Sequence, residues 1–131
     1  MSKYVADTMA LILRLEKREM PQKVKEKFQL AEKGLAEIII PAMVFAELAY
    51  LSEKKRLDTN LAEAQKYIND HPTISECTMT ISTILHAFEI DDIPELHDRL
   101  IAASGKEFGF PILSNDPDIN NSKYVKAIWK A

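Results

Sequence analysis

Three consecutive isoleucines, Ile38–Ile40, held between Glu37 and Pro41, constrain this chain more than any other feature. A β-branched apolar run this short suits a strand covered on both sides, as in a parallel sheet flanked by helices. The rest of the sequence supplies what such a sheet needs. Lys3–Ala6 reads as a first short strand, and a helix is expected over Thr8–Arg18 from apolar Met9, Leu11, Ile12, Leu13 and Leu15. Pro21 opens a second helix, because proline is tolerated in a first turn, and Gly34 closes it. After the Glu37–Ile40 strand, Pro41 starts a third helix reaching about Lys55, and Asn60 can cap a fourth through about Asn69. His71–Pro72 is a break, and Thr73–Met79 fits either a strand, by its β-branched residues, or a helix. Thr80–Glu89 reads as helical. Asp92 and Glu95 have capping-box spacing before a helix of roughly 94–108, which Gly109 ends. Phe110–Leu113 is a fourth strand, and Val125–Trp129 a candidate fifth at the edge. Strands alternating with helices give the α/β class, with a short, mainly parallel central sheet covered on both faces. In such sheets ligands bind beyond the carboxyl ends of the strands, near the switch point.

The chain has 131 residues, and no repeat, low-complexity tract or Pro/Gly linker divides it, so one domain over 1–131 is expected. The single cysteine, Cys77, excludes an internal disulfide and a zinc site built on several thiolates, and it fits a reducing compartment. The longest apolar run, Ile38–Ala46, ends at Glu47 and falls well short of the roughly 20 residues that span a bilayer. With no signal-peptide pattern in the opening residues, a cytoplasmic protein without a membrane partner is expected. The net charge of −3 argues against a general polyanion binder. It leaves room for a nucleic-acid enzyme that holds phosphates through metal ions and a few local cations.

Four carboxylates stand out. Asp7 and Asp116 each follow a strand and would project at the carboxyl edge of the sheet; alternatively Asp7 caps the next helix and Asp116 serves a turn in Asn115–Asp116–Pro117–Asp118. Glu47 has Met43, Val44, Tyr50 and Leu51 one turn away, which puts it on the face expected to pack against the sheet. A carboxylate there is costly unless paired with a cation or bound to metal. Asp98 has Ile101 and Ala102 one turn on and Glu95 one turn before, and two acids on one stripe repel unless a cation offsets them. Oxygen ligands of this kind suit Mg²⁺, which takes one or two carboxylates directly and keeps several waters. Arg14 and Arg99 are the candidate phosphate contacts. The lysines of 17–27 interleave with Glu16, Glu19 and Glu26 and read as solvated surface. His97 adjoins the acids but reads as a structural hydrogen-bonding residue. Trp129 and Tyr124 are candidates for stacking on a base, with packing or a dimer contact as the plainer use.

Four segments together resemble the PIN-domain family, and within it the VapC-type toxin ribonucleases. They are Tyr4–Thr8, Pro41–Leu48, Ile93–Ala103 and Pro111–Asp116, with His97–Asp98–Arg99–Leu100–Ile101 the most specific stretch. The resemblance implies a three-layer α/β/α sandwich and Mg²⁺- or Mn²⁺-dependent cleavage of single-stranded RNA. It matches Asp7, Glu47, Asp98 and Asp116 to the family's catalytic and metal-binding acids, and Thr8 and Ser114 to hydroxyls near the metal. Ala6 is smaller than the usual strand residue, and Asp118 rivals Asp116 for the fourth position. The resemblance further implies a homodimer and an antitoxin protein partner. Within the same family, an RNA-processing nuclease without toxin role and a catalytically weak scaffold module are the alternative readings.

Overall fold

The computed structural model describes residues 1–130. The chain runs β1 (Ser2–Ala6), α1 (Thr8–Leu15), α2 (Gln22–Glu32), β2 (Ala36–Pro41), α3 (Ala42–Glu53), α4 (Leu61–Asp70), β3 (Ile74–Cys77), α5 (Ile81–Glu89), α6 (Leu96–Phe108), β4 (Ile112–Leu113), α7 (Pro117–Asn120) and β5 (Ala127–Ile128). The five strands form one sheet in the order β3-β2-β1-β4-β5, and every pairing is parallel. Helices cover it as a three-layer α/β/α sandwich.

The isoleucine run builds the middle of this sheet. Ile38 and Ile40 are fully buried, while Ile39 keeps some exposure, so one face of β2 is sealed more tightly than the other. Thr73–Met79 resolves as a strand because its backbone completes a ladder with β2, from Ile38↔Ile74 to Pro41↔Cys77. From β1 the chain first builds outward on one side, through β2 and β3, and then crosses back to place β4 on the other side of β1. The switch point therefore lies between the carboxyl ends of β1 and β4. There the Asp7 amide donates to the Leu113 carbonyl at 3.1 Å, tying the two strand ends together.

Several boundaries depart from the sequence reading, each for a local reason. Helix α1 ends at Leu15 rather than Arg18, because Lys17 takes a left-handed conformation (φ 53°) and the Arg18 amide closes back on Leu13 O. Lys55 (φ 58°) ends α3 the same way, with the Arg56 amide on Leu51 O. The Asp92–Glu95 capping box does not form. Glu95 is itself the N-cap of α6, accepting from the Asp98 amide at 2.9 Å. Asp92 instead accepts from the Ser122 hydroxyl and the Lys123 amide, pinning the segment before β5. The Asn115–Asp118 segment opens the short helix α7 rather than forming an isolated turn.

Helix α6 lies unusually close to the sheet. A Cβ at Gly105 would come within 2.7 Å of Ile112 Cγ1 and 3.0 Å of the Phe110 carbonyl oxygen. The missing side chain lets α6 approach β4, and α6 carries Asp98. Among the described residues no helix is long and apolar enough to cross a membrane.

Candidate functional site

A pocket of about 200 Å³ opens at the switch point, and Asp7, Thr8, Glu47, Asp98, Asn115 and Asp116 contribute its polar lining. The four acids come from four places. Asp7 follows β1, Glu47 sits in the middle of α3, Asp98 lies in the first turn of α6, and Asp116 begins α7 after β4. Met9, Leu51 and Ile101 supply the apolar part of the wall. At about 30 Å³ per water, the volume holds on the order of six water molecules, the scale of a hydrated ion.

Asp7 and Asp116 each cap a helix while lining the pocket. Asp7 Oδ1 caps α1 through the Ala10 amide at 2.8 Å, and Asp116 Oδ2 caps α7 through the Ile119 amide at 3.0 Å. Each cap engages one oxygen and fixes the carboxylate. Capping and lining the pocket are thus one arrangement. Asp118 is exposed and absent from the lining, so of the two rivals Asp116 is the acid that faces the pocket.

Glu47 is placed differently from the sequence reading. The buried stripe of α3 is Val44 and Leu48, whereas Tyr50 is 58 % exposed and Met43 and Leu51 are only partly covered. Its apolar neighbours line an open cleft of about 600 Å³, formed by Met43, Ala46, Tyr50, Leu51 and His97. Glu47 stands on the rim shared by cleft and acid pocket, and the Thr8 hydroxyl donates to its Oε1 at 2.7 Å. That bond joins α1 to α3 across the site.

Burial and mutual repulsion raise the pKa of two of the acids. Asp7 is 5 % exposed, and its pKa is pushed up to about 6, chiefly by burial, with Asp116 and Glu47 adding to the rise. Hydrogen bonds from Ser114 and the Ala10 amide favour its charged form and limit the rise. Asp98 is less buried yet reaches about 7, because burial is joined by the charges of Asp116, Glu95, Glu47 and Asp7. Among the described residues, none donates a hydrogen bond to its carboxylate comparable to those on Asp7.

Among the described residues no lysine, arginine or histidine forms an ion pair with any of the four acids. Nor do three acids stand close enough, as the side chains lie, to grip one ion together. The donor set therefore fits a hard cation that touches one or two carboxylates and reaches the others through water, as Mg²⁺ prefers. It does not form a closed cage.

The two arginines considered as phosphate contacts are engaged elsewhere. Arg14 makes a two-pronged bond to Glu32, with Nε at 2.8 Å and a terminal nitrogen at 2.7 Å, and the Tyr67 hydroxyl donates to the same carboxylate. This knot ties α1, α2 and α4 together. Arg99 donates to the Ile93 and Pro94 carbonyls and lies over the Phe88 ring. Neither lines the acid pocket. His97 bonds Glu95 at 3.1 Å, a structural contact. Asn115 is the polar lining residue that sequence reasoning missed. Its only signal was its place between Ser114 and Asp116.

The family model described as PIN domain matches residues 4–123. Twenty-four chains of solved structures match the fold. One belongs to VapBC2 from Rickettsia felis bound to a DNA fragment from its promoter, with a TM-score of 0.74, 17 % identity and 98 % of each chain covered. Another belongs to DNA-bound VapBC from Salmonella typhimurium, with a TM-score of 0.74, 19 % identity and 98 % of each chain covered. A third is PAE2754 from Pyrobaculum aerophilum, with a TM-score of 0.59, 14 % identity, and 96 % of this chain and 89 % of that chain covered. Comparison with curated proteins returns no match. At these identities the solved structures speak for the fold, and the family model, spanning nearly the whole chain, speaks for kinship: this chain belongs to the PIN domain family.

Proposed function

We propose that this chain is a metal-dependent endoribonuclease that cleaves single-stranded RNA and acts as the toxin of a toxin–antitoxin pair. One observation carries the enzymatic part: four carboxylates, remote in sequence, converge on one small pocket in which two of them keep raised pKa values and none is ion-paired. Such a site is unfavourable at neutral pH without a cation.

Mg²⁺ or Mn²⁺ is the cofactor this donor set suits. Asp7, Asp98 and Asp116 would hold it directly or through water, with Glu47 holding a second ion or orienting the attacking water. A bound divalent ion lowers the pKa of water and stabilises charge on the attacking and leaving oxygens of a phosphodiester. The protein's part is positioning. Backbone caps hold Asp7 and Asp116, Thr8 steadies Glu47, and the Asp7–Leu113 backbone bond fixes the separation of the two strand ends. Ser114, fully buried, accepts the Asp116 amide at 3.0 Å and supports the Asp7 carboxylate.

The toxin reading is supported by the VapBC complexes among the matched structures and by exposed apolar surface for partners. That surface includes the wide cleft beside Glu47 and Ile81, Leu85 and Phe88 on α5. We assign these surfaces to a homodimer contact and an antitoxin, in the cytoplasm. The experiment is cleavage of labelled single-stranded RNA with Mg²⁺ or Mn²⁺, with EDTA as control, by wild type, Asp7→Asn and Asp98→Asn. Metal-dependent cutting by wild type alone is expected; equal activity in all three rejects the assignment. Toxicity on expression, relieved by a co-expressed neighbouring DNA-binding protein, tests the toxin role.

A further inference from the structure

A second cleft of similar size adjoins the acid pocket and has a different chemistry. Asn115, Pro117, Asn120, Trp129 and Lys130 enclose about 230 Å³, and Asn115 lines this cleft and the acid pocket alike. The two spaces are therefore neighbours across one residue. Trp129 packs against the hydrophobic core yet is only partly buried, and it lines this cleft. Lys130 is exposed beside it. The Asn120 side-chain nitrogen is already committed, donating to Ser114 O at 3.0 Å and Asp116 O at 2.8 Å. Its position is thereby locked to the two residues that frame the acid site, and its side-chain oxygen is left to accept. An aromatic face, a cation and two amides around a space for one base are what single-stranded nucleic acid uses. Bases stack on aromatic rings, lysine meets the backbone phosphate, and amides meet base edges.

We propose that this cleft is a base-stacking subsite, in which Trp129 and Lys130 hold the nucleotide next to the phosphate placed at the four acids. The proposal rests on the ribonuclease reading and extends it to substrate positioning. The larger cleft beside Glu47 suits RNA less well. Met43, Ala46, Tyr50 and Leu51 make it apolar, its rim carries a carboxylate, and its lining offers neither lysine nor arginine.

Trp129 is the chain's sole tryptophan, so its emission reports this cleft alone. A short unstructured RNA is titrated into the Asp98→Asn protein with Mg²⁺ present, following tryptophan fluorescence and, separately, anisotropy of a labelled strand. Saturable quenching is expected with the single strand, and little with a duplex of the same sequence. Trp129→Ala should weaken single-strand binding about 5- to 150-fold, the stacking contribution of one base, and Trp129→Phe should recover most of it. Lys130→Ala should lower the slope of log affinity against log salt by about 1. Thermal melts of the Phe and Ala variants confirm folding. No quenching at saturating RNA, or unchanged affinity in a folded Trp129→Ala, overturns the subsite. Cleavage by wild type, read separately, decides the ribonuclease reading: cutting that persists in Trp129→Ala at unchanged KM sinks the subsite alone. Quenching without any cutting leaves the subsite standing and sinks the nuclease.

Discussion

Asp7 is the residue at which structure and chemistry conflict most. It is buried, it caps α1, and burial moves its pKa from 3.8 to about 6. Between those values the native state binds more protons than the unfolded chain. The contribution of Asp7 to stability is therefore greatest below about pH 4 and is lost as pH rises through about 6. Asp7→Asn keeps the cap oxygen for Ala10 and removes the charge. It should leave stability unchanged near pH 3.5 and raise it near pH 8, by up to about 3 kcal/mol at about 1.4 kcal/mol per pKa unit. Urea melts of both proteins at the two pH values check this, and an asparagine variant less stable at both would contradict it. The same conflict predicts the response to metal. Mn²⁺ or Mg²⁺ should raise the wild-type Tm clearly near pH 8 and little near pH 5, where Asp7 and Asp98 hold protons. Asp7→Asn should lose most of that gain. A Tm indifferent to either ion at both pH values would count against a metal at this site.

At the scale of elements, the position of α6 decides where Asp98 stands, and Gly105 decides the position of α6. A methyl at 105 meets the Ile112 side chain and the Phe110 carbonyl, so the helix must shift or Ile112 must leave its rotamer. Gly105→Ala should cost about 1–3 kcal/mol despite alanine's better helix propensity, as overpacking does. A denaturant midpoint equal to or above wild type would show that the helix has slack there. The helix ends offer the opposite lesson. Lys17 and Lys55 take left-handed conformations that glycine adopts without a Cβ penalty. Lys55→Gly, exposed and remote from the acids, should therefore not destabilise the fold. The expected gain is about 0.5–1 kcal/mol, part of it offset by the greater freedom of glycine in the unfolded chain. A clear loss in a thermal melt would place the entropy term above the strain term.

At the scale of the whole molecule, the cleft beside Glu47 and helix α5 present apolar surface to solvent among the described residues; on α5, Ile81 is 74 %, Leu85 65 % and Phe88 65 % exposed. Exposed large apolar side chains clustered on one helix mark an association surface more often than free surface. Light scattering should therefore give twice the 14.9 kDa chain mass, and Leu85→Glu with Phe88→Glu should return it to a monomer with an unchanged far-UV spectrum. A wild-type monomer at micromolar concentration would reject the homodimer.

The parallel sheet, the helices and the strand-end positions of Asp7 and Asp116 were legible in the sequence, because apolar runs, prolines and caps act through neighbours a few residues away. Glu47 and Asp98 stood out as acids among apolar or like-charged neighbours, and the resemblance matched all four acids to one site. Three things were decided only in three dimensions. Thr73–Met79 became a strand through pairing with β2, a contact that local propensity does not encode. Arg14 went to Glu32 and Tyr67, and Arg99 to two carbonyls, because a guanidinium takes the nearest fixed acceptors whatever lies along its own helix. Glu47 came to a rim rather than the sheet face, since the angle at which α3 packs selects which of its apolar residues are buried. Local order is written in short-range periodicity, whereas the convergence of distant charges depends on how packed elements cross, and packing is settled by the whole chain at once.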